Sequence, residues 1–225
     1  MTAARNLRPG YAAELDQLRL QVELMAVRVD ENLERMRVVL EHGDTSLAAV
    51  AVAADDAIDA MSVSLTERCY DLHARESPVA GDLRLVVSVL RVVGELERIG
   101  DLALRVVKLA PQHAILRSNP VTFGLLTDLG DAAVERYRAA LRAWSSSSID
   151  LAAEVLDTPS VAGPLEQRLT FELTRLAGSD AGAVAVHSLV AGKSLERIAD
   201  HAEIIATRLL FLLTGDAGHL AHEVR

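Results

Sequence analysis

The sequence predicts an all-α protein built from two tandem, pseudo-symmetric three-helix bundles, with six long antiparallel helices in all. Long stretches carry apolar residues at spacings of three and four, which is the period of a half-buried helix. The 225 residues contain only six prolines, and these lie between the periodic stretches. The segment Leu-Glu-Arg-Ile-Gly-Asp at 96–101 returns as Leu-Glu-Arg-Ile-Ala-Asp at 195–200, which indicates two related halves 99 residues apart.

The first half is predicted to contain three helices joined by very short turns. Gly43 is suited to end the first helix and Asp44 to cap the second, while Ser77 followed by Pro78 is typical of a third helix start. Short turns between long helices require antiparallel neighbours. The predicted helices span residues 11–42, 44–75 and 78–110, and Pro111 ends the third.

The second half is predicted to repeat this arrangement. Asn119-Pro120 starts the fourth helix, which ends in the serine run at 145–148, and Asp180 caps the sixth, which ends at Gly215. The fifth helix is predicted over 150–178. The predicted domains are 1–110 for the first bundle, 111–119 for a linker, 120–215 for the second bundle and 216–225 for a frayed tail.

Composition excludes several functions. A formal charge of −9, with scattered arginines, argues against binding to nucleic acid. The single cysteine, Cys69, fits a reducing compartment and a place in the core. The opening residues lack the apolar core of a signal peptide, and no uncharged apolar stretch approaches 18 residues, so we expect a cytoplasmic protein without membrane insertion.

Two pairs of carboxylates carry the strongest chemical signal. Glu97 and Asp101 stand one helical turn apart, and Glu196 and Asp200 repeat the pair. Like charges at this spacing weaken a helix by a few tenths of a kcal/mol, so a repeated pair calls for a cation. The first pair also lies on or beside an apolar stripe, where a carboxylate is costly unless it is paired or binds metal.

A third acidic pair, Asp55 and Asp59, lies on the second predicted helix. If that helix packs on the third, these side chains complete a four-carboxylate site with Glu97 and Asp101; otherwise they belong to an exposed flank. The rival explanation for the carboxylates is a metal-free ion pair that Arg98 or Arg197 makes with a neighbouring helix.

The donor atoms limit the choice of metal. Oxygen ligands alone suit a divalent or ferric ion such as magnesium, calcium, manganese or iron. The absence of cysteine and histidine nearby argues against a dedicated zinc site, although zinc held by oxygen atoms stays open.

These motifs resemble the PhoU-type regulators of phosphate uptake, over essentially the whole chain. The resemblance rests on Pro-Val-Ala-Gly-Asp-Leu-Arg at 78–84, the two Leu-Glu-Arg-Ile segments, Asp-His-Ala-Glu at 200–203 and Thr-Gly at 214–215. The alanine- and arginine-rich composition resembles the actinobacterial branch. The resemblance implies an often dimeric cytoplasmic protein that binds metal, in some members as iron clusters. It also implies restraint of a phosphate ABC transporter, with its ATPase subunit, and of a sensor histidine kinase.

The second half departs from the family pattern. Aligning Leu65 with Leu169 places Pro159 and Gly163 where the first half has Asp55 and Asp59. We therefore expect the second half to bind metal weakly or not at all.

Two other functions compete with the regulator. Carboxylate-bridged di-iron enzymes of the ferritin-like type need Glu-x-x-His on paired helices, and no histidine here has Glu three residues before it. No nucleotide-binding loop or nucleophile constellation occurs either, so we expect no catalysis. A metal-free helical adaptor is the other alternative.

Overall fold

A computed structural model describes residues 9–223, and within them the chain forms helices and no strand, which confirms the all-α class. Short 3₁₀ helices occupy Ala110–Gln112 and Ala217–Glu223. The α-helices of the described residues are α1 Pro9–His42, α2 Thr45–Glu76, α3 Ala80–Val107, α4 His113–Arg117, α5 Pro120–Ser146, α6 Ile149–Asp157, α7 Ala162–Leu173 and α8 Ala181–Thr214.

The helices form two bundles that share one core. In the first bundle α1, α2 and α3 pack together; in the second, α5 and α8 pack with α6 and α7. The bundles meet where α3 packs along α8 and α1 on α5. A continuous apolar cluster crosses this junction, so the domain boundaries at 110 and 120 stay predictions. Residues 1–8 and 224–225 of the predicted first domain and tail lie outside the described part.

Several predicted helix ends are confirmed by their hydrogen bonds. The Asp44 side chain accepts from the backbone N–H groups of Ser46 and Leu47 at 2.9 and 3.0 Å, and Asn119 accepts from that of Thr122 at 3.0 Å. These bonds satisfy backbone donors that the first turn of a helix leaves open. Gly43 and Gly215 follow α1 and α8 at φ of 71° and 75°, in the left-handed region that favours glycine.

The predicted start of the third helix at Ser77 and Pro78 is wrong. Ser77 instead ends α2 in a left-handed conformation, donating its backbone N–H to the His73 carbonyl. Val79 is extended, and α3 begins at Ala80. The serine is used to end one helix, so it is unavailable to cap the next.

The predicted continuous fifth helix is also wrong, since it is divided into α6 and α7. Pro159 has no N–H to donate and disfavours helical backbone at the residue before it. Thr158 is accordingly extended, with ψ at 117°. The chain re-enters a helix at Ala162 and leaves it at Leu173, short of Gly178.

One smaller prediction, the Asp180 cap, is wrong, and two segments predicted to lie outside the bundles contain short helices. Asp180 precedes α8, but its side chain makes no capping hydrogen bond. The segment predicted as a linker contains the short helix α4, and its His113 ring bonds the Glu41 carbonyl at 3.0 Å. The first residues of the predicted frayed tail form a 3₁₀ helix that packs against α8.

Candidate metal centre

The first-half carboxylates lie on α2 and α3, two helices that pack against each other. Asp55 is buried, with 6% of its surface exposed, and its Oδ1 has no hydrogen-bond partner among the described residues. A Cβ atom built at Gly100 would stand 3.0 Å from that oxygen. The missing side chain at Gly100 therefore lets the Asp55 carboxylate approach the backbone of α3.

The surroundings of Asp55 disfavour its charge. Burial raises the pKa of Asp55 from 3.8 to about 6, and the negative charges of Asp59 and Asp101 add to the rise, while the Lys108 ammonium opposes it. Burial and like charges are the usual causes of a raised carboxyl pKa. The acidic pairs of α2 and α3 thus lie close enough to repel each other.

Glu97 experiences the same cluster from the other helix. Burial raises its pKa, and the charges of Asp101 and Asp59 raise it further, against the Arg98 guanidinium. Arg98 remains on its own helix, where its Nη1 lies 3.8 Å from the Asp101 Oδ2. The interhelical ion pair considered for Arg98 is therefore absent from the described structure.

The carboxylate oxygens of α2 and α3 are the donor type that a hard cation prefers, but they are not arranged as a complete ligand set. A buried carboxylate oxygen without a partner, and the repulsion that raises the pKa values of Asp55 and Glu97, favour a bound cation. Among residues 9–223, however, no three Asp, Glu, His or Cys side chains are grouped so that they could hold a metal ion. Asp59 is exposed and Asp101 is partly exposed, so both have space to turn. Assignment of these residues as ligands stays a prediction.

In the second half a lysine contacts the carboxylates. Lys193 Nζ lies 3.1 Å from the Glu196 Oε2 and 2.9 Å from the Glu166 Oε2. The hydrogen bond to Glu166 is the largest cause that raises the pKa of Lys193. The Glu166 side chain is 5% exposed and also accepts a hydrogen bond from the Thr170 hydroxyl at 2.7 Å. One ammonium group therefore pairs with both Glu196 and Glu166 and offsets one of their two negative charges.

Sequence reasoning missed Glu166. Pro159 and Gly163 align with Asp55 and Asp59, and Glu166 falls three residues beyond Gly163, outside the aligned positions. The break between α6 and α7 removes the continuous helix on which that alignment depended. The only available sequence signal was an acid on the same face as Leu169 and Leu173, which are buried on α7.

The other second-half acids are placed differently. Asp200 is exposed on α8. Glu203, on the same line of the helix, is bound by Arg136 of α5 at 2.7 and 3.1 Å, and Arg136 also donates to the Thr158 carbonyl. Glu203 thereby joins α5 and α8 to the bend between α6 and α7, which is a structural role.

The two Leu-Glu-Arg-Ile segments occupy matching environments. The sequence of buried, intermediate and exposed positions over 92–100 is repeated over 191–199. Glu97 and Glu196 share a place in this pattern, and Lys193 corresponds to Gly94, which is exposed and has no side chain. The prediction that Glu97 and Glu196 superpose stays untested. Because Gly94 stands at the position of Lys193, the first half has no lysine beside Glu97 at this position.

A family model described as the PhoU domain matches the chain twice, over residues 22–110 and 126–209. The chain belongs to the PhoU domain family. A relative in Mycobacterium tuberculosis, named phosphate-specific transport system accessory protein PhoU homolog 2, is 30% identical over 213 residues, which cover 93% of this chain and 99% of the relative.

Solved structures of this family have the same fold. The crystal structure of PhoU from Pseudomonas aeruginosa superposes with a TM-score of 0.84 at 28% identity, covering 92% of this chain and all of that one. The phosphate transport system regulatory protein PhoU from Streptococcus pneumoniae gives a TM-score of 0.78 at 22% identity, over 92% of this chain and 98% of its own. The second comparison supports the fold alone.

Proposed function

We propose that this protein restrains phosphate uptake and phosphate-starvation signalling when phosphate is ample. In this proposal it acts as a homodimer in the cytoplasm, through contacts with the ATPase subunit of a phosphate ABC transporter and with a sensor histidine kinase. The observation that carries the proposal is membership of the PhoU domain family along both halves of the chain. Relatives matched over nearly their whole length are named as accessory proteins of phosphate-specific transport.

The protein's own surface is consistent with action through protein contacts. Within residues 9–223 no helix is long and apolar enough to cross a membrane. In this proposal, contact with a membrane transporter uses the outer faces of these helices. Exposed aliphatic side chains are frequent on α1, α2 and α8.

A bound metal belongs to the same proposal, in the first half. Asp55, Asp59, Glu97 and Asp101 would hold a divalent or ferric ion between α2 and α3. Such an ion supplies positive charge that offsets the repulsion of four carboxylates and ties the two helices together. The metal-free adaptor remains as the alternative, and the absence of a preformed ligand group among the described residues favours it.

We propose that the protein catalyses no reaction. A Glu and a His of different helices do meet, since the His201 Nδ1 lies 2.5 Å from the Glu95 Oε2. The other carboxylate oxygen of Glu95 is 3.0 Å from the Arg91 guanidinium. A carboxylate already held by two cationic or hydrogen-bonding groups serves as a structural tie between α3 and α8, and the ferritin-like alternative loses its best pair of ligands.

Gene deletion and complementation test the regulatory role. Deletion, together with any paralogue, should derepress phosphate uptake in rich phosphate, and the wild-type gene should restore repression. Unchanged phosphate control in the deletion strain would show that the assignment is wrong. Copurification from phosphate-replete cells should recover the transporter ATPase subunit or the sensor kinase.

A paired variant tests the metal. Glu97→Gln with Asp101→Asn keeps the shape of both side chains and removes two charges. We expect this variant to fold and to lose bound metal, measured by elemental analysis. If it also loses repression, the metal is regulatory; full repression without metal would support the adaptor.

A further inference from the structure

A groove remains open at one end of the contact between α3 and α8. Its volume is about 260 Å³, and we call it the α3–α8 groove. Its apolar lining is Leu102, Leu189 and Val190, and the last two are 43% and 44% exposed. Ser194 lies within it, and Arg105 and Arg197 are at its edge. The groove therefore combines aliphatic surface with positive charge.

Positive charge in the groove is partly uncompensated. The Lys193 ammonium also lines it, but Glu166 and Glu196 already bind that group. Arg105 and Arg197 are exposed and make no ion pair or hydrogen bond through their side chains to any residue in the described range. In a protein with a net charge of −9, these two guanidinium groups offer a local site for an anion.

The opposite end of the same helix pair shows what closes such a groove. By the 99-residue register, Ser194 corresponds to Glu95, Val190 to Arg91 and Leu102 to His201. Those three counterparts form the ion cluster in which Glu95 is held by Arg91 and His201. One end thus contains a buried carboxylate between the two helices, and the other end has a small hydroxyl in its place.

We propose that the α3–α8 groove binds a segment of a partner protein in which Glu or Asp adjoins an aliphatic residue. The partner's carboxylate pairs with Arg105 and Arg197 at the edge of the groove. Its aliphatic neighbour packs on the exposed Leu189 and Val190, at the base of which lies the buried Leu102. This inference rests on the proposed function only for the identity of the partner; the chemistry of the groove is independent of it.

A small carboxylate tests the groove without any partner. Methyl NMR spectra of the full chain are recorded during titration with 4-methylpentanoate, and again with the neutral amide of the same acid. We expect the methyl signals of Leu102, Leu189 and Val190 to shift with the acid and to shift at least tenfold less with the amide. Higher salt should weaken binding. Absence of shifts at these methyls would overturn the inference.

Variants distinguish groove binding from adsorption elsewhere. Ser194→Glu places a carboxylate of the protein itself in the groove and should abolish the shifts. Ser194→Gln introduces a neutral side chain of the same size as Glu and should keep a measurable part of the shifts. Arg105→Gln with Arg197→Gln changes exposed positions only and should abolish binding in a folded protein. Arg175→Gln, outside the groove, is the matched control. Equal shifts in wild type and in the paired arginine variant would overturn the proposal.

The partner experiment uses purified transporter ATPase subunit and the cytoplasmic part of the sensor kinase. We expect one of them to bind wild type and to bind Ser194→Glu at least tenfold more weakly. If the partner binds wild type and Ser194→Glu equally well, docking occurs elsewhere on the protein and the inference is overturned. If neither protein binds wild type, the proposed function fails, and the carboxylate titration still decides the groove. If wild type self-associates and Ser194→Glu abolishes that self-association, the groove binds a second copy of this chain, and the assignment to a partner protein is overturned.

Discussion

Single side chains decide how the two halves treat their acidic pairs. Asp55 is buried beside like charges and has an oxygen without a partner, so it costs stability whenever it is ionised. Glu166 is equally buried, but Lys193 binds it. The buried carboxylate of the first half therefore lacks a cationic partner among the described residues, whereas that of the second half is paired with the Lys193 ammonium.

Asp55→Asn should stabilise the metal-free protein at neutral pH. The folded pKa of about 6 lies above the ordinary 3.8, so the folded state holds its proton to higher pH than the unfolded state. The favourable contribution is complete below about pH 4 and is lost as the pH rises to about 6. We expect the variant to raise the free energy of unfolding by about 1–3 kcal/mol at pH 7. Urea unfolding in chelator from pH 4 to 7 measures this.

Asp56→Asn, one residue away and exposed, is the control and should change stability by less than about 0.5 kcal/mol. If Asp55→Asn leaves the pH dependence between 4 and 6 unchanged, burial of Asp55 does not govern it.

Lys193→Met should destabilise the second half and open it to metal. The variant leaves Glu166 buried without its ammonium, at a cost of about 1–2 kcal/mol, reduced because Lys193 is half exposed. We expect added Mn²⁺ to recover part of the loss and bound Mn²⁺, counted by electron paramagnetic resonance, to increase. Arg28→Met, which removes an exposed pair with Glu31, should show neither effect. A Lys193→Met protein that binds no extra Mn²⁺ would mean that lysine does not stand in for metal.

At the scale of elements, helix packing determines whether carboxylates can approach. Gly100 permits close contact between α2 and α3 at Asp55. Its counterpart by the 99-residue register is Ala199, which is buried on α8. The difference of one methyl group between two otherwise matching segments therefore has a structural consequence.

Gly100→Ala should weaken metal binding while improving the helix. The new Cβ would lie 3.0 Å from the Asp55 Oδ1 and must displace that carboxylate. We expect Mn²⁺ affinity to fall about tenfold, as when a metal ligand loses its support. Helix propensity favours alanine by about 1 kcal/mol, which offsets part of the strain. Ala199→Gly is the matched control, with lower stability and unchanged affinity; unaltered affinity in Gly100→Ala would contradict the close approach.

Elements were predictable from sequence where the signal was local. Periodicity and the caps at Asp44 and Asn119 depend on neighbours within one turn, so those helix ends were predicted well. The break at Pro159 was also local, but the repeat of the first half favoured one long helix there. The contact between Glu166 and Lys193 depends on how α7 lies against α8, which the broken helix changes and which no local pattern encodes.

At the scale of the whole molecule, the sequence predicted two related halves but not how they join. The prediction that carboxylates of α2 and α3 form one site depends only on the packing of two helices that are neighbours in the sequence. The tie between Glu95 and His201 joins residues 106 positions apart. Ion pairs also join α1 to α5, where Arg138 binds Asp30 at 2.7 Å and Glu34 at 3.0 Å. Such contacts depend on the rotation of one bundle against the other, which follows from packing of the complete core.

Tyr137 tests whether the joined bundles behave as one unit. It is fully buried, and its hydroxyl donates to the Ala26 carbonyl at 2.6 Å, so it links α5 to α1. Tyr137→Phe removes this bond and leaves the ring in place, and we expect a loss of about 1 kcal/mol and a midpoint of thermal unfolding about 2–4 °C lower. Because the apolar core is continuous across both bundles, calorimetry should still show a single transition. Tyr70→Phe, on an exposed face of α2, should change little. Two separate transitions in Tyr137→Phe would show that the bundles fold independently and that this contact, rather than the shared core, couples them.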